Sequence, residues 1–473
     1  MTGNKHSRLQ SLNRRIKNRI DLSRLTVLIC VICAIWHVYN IHYWNLPNRV
    51  IIWDVISYYS YLPSSVIYKD LKLKFIDEDP EYFSDKFWPN VTPDGQYVIK
   101  MSMGLSYMYA PFFLIAHAST SINQHDSDGF STPYKYALIM GGIIYMIIGL
   151  LFLRKILLRY FNQGITSLTL ITVFFGTHLF YYSSTEAPMP HVFNFALFNV
   201  FIYLSLAWHE KPTVIKSLFI GILTGLITLI RPTNILILLF FILWNVQNLN
   251  DLKNRMTVFL QAYKHIFVIV SIAFLIWVPQ LLYWKYVTGQ WLFFPYIGER
   301  FFFSHPNIIN GLFSFRNSWF TYTPVMIFSI IGIPFLWHQR KEYFWPVLIF
   351  TVLNIYFVYS WWCWWYGGSF GSRPMIDSYG LLSIPLAIWL QWLFSRKKWI
   401  MISLLSLFLL IGIRSGFHTL QYYYGAIHWD GMTYSAFKKS FFKIKKYDEL
   451  EKLIRRPDYE KAMKGEEDFF ITY

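Results

Sequence analysis

The chain has 473 residues, of which 55% are hydrophobic and 15% charged, whereas a soluble domain carries roughly 25% charged residues. That balance excludes an ordinary soluble protein, and 21% aromatics suit a chain with many membrane interfaces to mark. The net charge of +17 does not indicate nucleic acid. The basic residues fall in short clusters between apolar runs, which is an orientation signal.

Residues 1–24 form a polar tail with Lys and Arg in excess over one acid, Asp21. The apolar run 25–44 starts too late and runs too long for a cleaved signal peptide, so it reads as an anchor with a cytoplasmic N-terminus. Cys30 and Cys33 lie inside this run, where packing outweighs redox chemistry, and Cys363 has no cysteine nearby, so no disulfide framework follows. Further runs near the ~20 residues of a bilayer span centre on 134–153, 165–183, 189–208, 216–230, 232–247, 265–284, 319–337, 343–360, 377–394 and 399–418. The clusters at Arg154–Arg159, Lys211–Lys216, Lys253–Lys264, Arg340–Lys341 and Arg396–Lys398 alternate with them. Placing these clusters inside puts 45–133, 184–188, the Arg231-Pro232 turn, 285–318, 361–376 and the tail 419–473 outside. Residues 104–122 are apolar enough to span, but a crossing there would reverse the Arg154 cluster. They therefore read as an interface-lying or re-entrant helix. The predicted fold class is an all-α polytopic membrane protein with about 11 transmembrane helices (11–13 by other counts) and a long first external loop, 45–103.

That loop carries Asp54 in the aromatic stretch Trp53-Asp54-Val55-Ile56-Ser57-Tyr58-Tyr59. A carboxylate held there is partly withdrawn from water, which suits general-base work; a helix cap or surface acid is the alternative. The acids from Asp77 to Asp85 read as solvated. The next outer turn, Ser184-Thr185-Glu186-Ala187-Pro188-Met189-Pro190-His191, offers a carboxylate and an imidazole at the membrane surface, with prolines restricting the backbone. Arg231 interrupts an apolar stretch, so it either snorkels or meets an anion such as phosphate. The densest segment is Trp361-Trp362-Cys363-Trp364-Trp365-Tyr366-Gly367-Gly368-Ser369-Phe370-Gly371-Ser372-Arg373-Pro374-Met375-Ile376-Asp377. Its glycines allow close backbone approach to an anion, Arg373 supplies charge, and Trp364 and Trp365 offer faces to a sugar or an isoprenoid. An aromatic belt followed by a turn is the plainer reading. Arg316 and the stretch from Arg300 to His305 are weaker candidates in the outer loop. His428-Trp429-Asp430 is placed to fold back over the membrane face.

In this order the segments resemble the GT-C type membrane glycosyltransferases, which include protein O-mannosyltransferases, the catalytic subunit of oligosaccharyltransferase and lipid A aminoarabinose transferases. The resemblance covers about 25–430. It rests on the cytoplasmic N-terminus, the anchor helix, the long first external loop with an acid near its start, and the short acidic turn that follows. Asp54 to Pro63, the Met103-Gly104…Ala110-Pro111-Phe112-Phe113 element, Arg231-Pro232 and 361–373 resemble poorly characterised bacterial members. The resemblance implies Asp54 as catalytic base and Glu186 as the acid of the second external loop. Arg373, Arg231 and Arg316 are then donor-phosphate ligands, and His191, Tyr58, Trp364, Trp365 and Ser372 substrate contacts. Many members carry acid pairs; here Asp54 is flanked by Trp53 and Val55, so no cofactor is assigned and a divalent metal stays open. The implied activity is inverting transfer of a sugar from a polyprenyl-phosphate carrier to a hydroxyl of an envelope glycan, lipid or protein. It would occur on the outer side of a bacterial cytoplasmic membrane. A lipid-linked-sugar flippase or transporter is the alternative, and a non-catalytic envelope partner a third.

Overall fold

The computed structural model describes residues 21–123 and 126–466; most of the N-terminal tail, 1–20, lies outside the described residues. The main elements are α1 (Leu22–Ile41), α2 (Asp54–Tyr59), α3 (Tyr61–Val66), α4 (Gly104–Asn123), α5 (Thr132–Leu157), α6 (Gln163–Phe175), α7 (Leu179–Ser184), α8 (Pro190–Glu210) and α9 (Val214–Ile230). They continue with α10 (Leu238–Leu243), α11 (Leu249–Gln261), α12 (Tyr263–Thr288), α13 (Ile327–Gln339), α14 (Lys341–Ser360), α15 (Tyr379–Phe394), α16 (Lys398–Tyr423) and α17 (Tyr434–Ser440). A two-stranded hairpin, Asn90–Val91 with Tyr97–Val98, is the one sheet among the described residues. Among the described residues six segments are long and apolar enough to cross a membrane: Leu22–Asn45 and the helices α5, α8, α12, α14 and α16.

The helices connect two chemically distinct ends. At one end the basic clusters meet. Arg154 binds Asp21 and the Ser23 hydroxyl, Arg159 binds Glu210 at 2.7 Å, and Arg340 lies 4.7 Å over the Tyr160 ring. Arg255 donates to His209 at 2.7 Å, and the Asn245 amide reaches the Glu342 carbonyl. The opposite end gathers Asp54, Glu186, His191, Arg231, Arg373 and Asp377. Among the described residues four shorter apolar helices, Gln163–Phe175, Val214–Ile230, Pro232–Leu243 and Pro324–Gln339, accompany the long segments.

Several predicted spans are not continuous helices, for local reasons. The run 165–183 breaks at Gly176-Thr177-His178: the Thr177 hydroxyl donates to the Val173 carbonyl and accepts from the Leu179 amide, replacing the helix ladder. The run 232–247 begins at Pro232 with a 3-10 turn, Pro232–Ile237, and α10 then ends at Leu243. At about 2.0 and 1.5 Å per residue it is about 21 Å long, short of the ~30 Å hydrocarbon core. In the run 319–337, Pro324 removes a donor and keeps Thr323 out of the helical region, at φ −130° and ψ 59°, so a four-residue turn at Trp319–Tyr322 precedes α13. The run 377–394 is preceded by a 3-10 turn, Arg373–Ser378.

Helix α4 stays at the site end, as charge parity predicted. Gly104 at its start lies against the backbone of Leu229 and Ile230, and its Tyr109 hydroxyl reaches the Pro188 carbonyl. His117, near its end, meets Tyr134 at the start of α5, where Lys135 is tied to the Leu46 and Pro47 carbonyls. The first external loop folds around an aromatic cluster of Tyr68, Phe75, Phe83, Phe87 and Phe130. Helices α9 and α12 pack closely because Gly221 and Gly225, four residues apart, admit Ile269, Ile272 and Ile276 against the backbone.

Candidate active site

Asp54 is the first residue of α2, where the helix dipole favours a carboxylate. Trp53 before it adopts φ 52°, a conformation costing on the order of 1–3 kcal/mol in a non-glycine residue. Its indole, which rests on Trp88 at 5.4 Å, anchors the turn. The Asp54 Oδ2 accepts from Arg373 Nη2 at 2.7 Å, across 319 residues of sequence. The Asp54 side chain remains 35% exposed and that of Arg373 12%. The base candidate is therefore an accessible ion pair, not an isolated acid in an apolar niche.

Arg373 is aimed by a loop that the protein itself fills. The Phe370 amide donates to the Tyr182 hydroxyl at 2.9 Å, the Ser369 amide to the Trp429 carbonyl at 3.1 Å, and the Arg373 amide to the Gly371 carbonyl at 2.9 Å. Gly371, at φ 57°, rests directly on the His178 imidazole. The Ser369, Phe370 and Arg373 amides thus hold the loop and are not directed at an anion. The tail locks it further. The Asn317 amide donates to the Gly367 carbonyl at 3.0 Å and to the Trp429 carbonyl at 2.6 Å. His428-Trp429-Asp430 does fold back over this end.

Glu186 sits in the turn between α7 and α8, with the Tyr181 hydroxyl donating to it at 3.1 Å. Burial raises its proton affinity above the usual carboxylate range, although Arg373 and Tyr181 pull the other way. Arg373 is also buried, which disfavours its charge, but the negative field of Asp54 and Glu186 overrides this and raises its proton affinity. Arg373 therefore lies in the field of both acids.

Arg231 has a protein partner. Its Nη1 meets Asp377 Oδ2 at 3.3 Å, and its guanidinium lies 5.8 Å over the Tyr366 ring. Asp377 also accepts from His191 Nδ1 at 3.0 Å, Asn194 at 3.0 Å and Asn234 at 2.8 Å. Sequence reasoning missed this carboxylate by reading it as the head of an apolar run. A lone acid in such a run carries the same signal that singled out Arg231, and the two together would have suggested a pair.

The substrate-contact candidates separate. Tyr58, one turn after Asp54 on α2, is buried within the field of Arg231, Asp54, Arg373 and Asp377. His191 is committed to Asp377, and buried Ser372 accepts from the Tyr359 hydroxyl at 2.9 Å. Trp364 and Trp365 are also buried; Trp365 packs on Trp362 and Tyr459. These indoles are core, so the sugar-stacking role is corrected. Arg316 lies 5.4 Å over Trp365 and donates to the Arg455 carbonyl, which places it with the tail. Among the described residues no three His, Cys, Asp or Glu side chains gather as a metal site.

The chain superposes on the archaeal oligosaccharyltransferase AglB from Archaeoglobus fulgidus, solved with an inhibitory peptide and a dolichol-phosphate. The TM-score is 0.50 at 12% identity, covering 92% of this chain and 61% of AglB. The fold is of the GT-C type. The apo form of the Archaeoglobus fulgidus oligosaccharyltransferase aligns over 90% of this chain and 56% of its own, at 14% identity and TM-score 0.48. No protein-family model and no curated protein matches the chain. The chain spans about three fifths of AglB's length, so the GT-C likeness concerns architecture.

Proposed function

We propose that this GT-C chain is an inverting glycosyltransferase moving a sugar from a polyprenyl-phosphate carrier to a hydroxyl of a cell-envelope acceptor. The reaction takes place on the outer side of a bacterial cytoplasmic membrane. The observation that carries this reading is the accessible Asp54–Arg373 pair, with Glu186 beside it, at the end of the bundle opposite the basic clusters. Basic clusters mark the cytoplasmic side, which supports an outward-facing site. The dolichol-phosphate held by AglB supports a lipid-phosphate donor for the same architecture.

Asp54 takes the proton of the acceptor hydroxyl as its oxygen attacks the anomeric carbon. The bond from that carbon to the phosphate oxygen breaks, and its electron pair leaves with the lipid phosphate. One base suffices, because inversion needs no enzyme nucleophile. Arg373 serves twice. At rest it neutralises Asp54; the donor's phosphate draws the guanidinium across, which frees the carboxylate and places a cation where negative charge grows.

The test is mass spectrometry of envelope glycans and glycolipids from cells carrying the wild type or Asp54→Asn. With the variant, a glycan modification disappears and unspent lipid-linked sugar accumulates, with turnover lower by about 10²–10⁴. A full complement of modified glycan in Asp54→Asn cells refutes the assignment.

A further inference from the structure

Two arginines reach the site end, and their partners differ. Arg373 pairs with Asp54, whose side chain is 35% exposed. Arg231 pairs with Asp377, whose side chain is 3% exposed and accepts from four donors on two chain segments: His191 and Asn194 on α8, and Arg231 and Asn234 around Pro232. A buried carboxylate is tolerable because its lone pairs are met. Breaking this node would strand a charge, whereas the Asp54–Arg373 pair opens to water. The first cation is exchangeable and the second fixed.

The chemistry of the proposed leaving group needs both kinds. A sugar phosphodiester carries one negative charge, and the released phosphomonoester about 1.5–2 at neutral pH. One cation must move to let the donor in, and one must stay as charge accumulates. Arg231 is set for the second task. Asp377 holds one nitrogen of its fork, Tyr366 lies beneath its face, and its side chain stays 16% exposed. Arg231 also lies in the field of Arg373.

We propose that Asp377 is a positioning residue that grips one side of the Arg231 guanidinium in a buried node and presents the other side as a fixed cation for the lipid phosphate. This rests on the lipid-phosphate reading above. A planar fork serves two anions at once, which a lysine ammonium cannot do with the same geometry.

The probe is a polyprenyl phosphate without sugar, compared with the polyprenyl alcohol of equal length, bound to the full chain in nanodiscs. The wild type prefers the phosphate; Asp377→Asn reduces that preference by about tenfold. In an Arg231→Gln background, Asp377→Asn costs nothing further, because it acts through the arginine. Equal losses in both backgrounds reveal a merely structural role and overturn the proposal, as does an unchanged preference in Asp377→Asn. Should Asp377→Asn fail to fold, Arg231→Lys at the part-exposed position decides. It loses as much preference as Arg231→Gln, and wild-type preference in Arg231→Lys overturns the proposal. Preference that Arg373→Gln abolishes but Arg231→Gln keeps refutes this inference alone. A wild type indifferent to the phosphate refutes the lipid-phosphate reading with it.

Discussion

Glu186 shows how a single side chain can trade stability for chemistry. Its carboxyl binds a proton more readily in the folded chain than its ordinary value of 4.5 allows, because burial penalises the charge. The folded state therefore holds more protons than the unfolded one above that value, so stability falls as pH rises through the window. Glu186→Gln removes this penalty. At pH 7 its thermal midpoint exceeds the wild type's, and the difference closes as pH falls below about 4.5. The same variant loses turnover, because the negative field that steadies Arg373 is gone. Midpoints for both proteins across pH 4–8 check the first claim, and a wild type less stable at pH 4 than at pH 7 relative to the variant contradicts it.

Gly371 supplies the complementary case, in which function requires the absence of a side chain. At φ 57°, a Cβ would stand 2.2 Å from the His178 Nε2. Gly371→Ala therefore incurs backbone strain on the order of 1–3 kcal/mol plus a clash that pushes Arg373 away from Asp54. A lower thermal midpoint together with lost turnover is the expected result; a variant matching the wild type in both would show that the loop adapts. Asp54 and Arg373 were both legible in the sequence, since each is a charge in an aromatic or glycine-rich membrane setting. That the two share one site was expected; their direct ion pair was not, because nothing local joins residues so far apart. Trp364 and Trp365 misled for a related reason: an indole at a membrane surface and one in a packed core look alike in a single sequence.

At the scale of elements, an apolar run reports burial but not continuity. The runs 165–183, 232–247 and 319–337 were each legible as apolar. Their breaks at Thr177, Pro232 and Pro324 depend on side-chain hydrogen bonds and on missing backbone donors. These breaks are what place the functional groups. Pro232 ends α9 so that Arg231 and Asn234 both face Asp377, and the short turn Arg373–Ser378 puts Arg373 and Asp377 four residues apart at one end of α15. In a bilayer, helix association rests on close packing, for which α9 and α12 use small residues. A Cβ at Gly221 would lie 2.8 Å from the Ile269 carbonyl oxygen, and one at Gly225 2.7 Å from the Ile276 Cβ. Gly225→Leu forces the helices apart, costing about 1–3 kcal/mol. A thermal midpoint in detergent several degrees lower, with phosphate-lipid selectivity retained in the folded fraction, is the expected reading. An unchanged midpoint would mean that the contact is loose.

The whole molecule is polarised, and this was the most legible feature of all. Basic clusters spaced between apolar runs fixed which loops share a side, and they required 104–122 to stay on the side where it began. Helix α4 does so, with Gly104 against Ile230 and His117 against Tyr134. The structure adds that the basic clusters are tied in by Arg154–Asp21, Arg159–Glu210 and Arg255–His209, while the tail between Trp429 and Lys464 packs over the opposite end. The two ends can therefore be assigned to sides of the membrane with few probes. Asp94, exposed near the hairpin of the first loop, and Glu460, exposed in the tail, belong to the site end; Asn254, exposed on α11, belongs to the basic end. Single cysteines at these positions are to be read with a membrane-impermeant maleimide, in a background where Cys30, Cys33 and Cys363 are replaced by serine or alanine. Asp94→Cys and Glu460→Cys label in intact cells, and Asn254→Cys labels after permeabilisation. Because positive charge holds loops in the cytoplasm, the opposite pattern would put Asp54 in the cytosol, where an envelope acceptor never arrives.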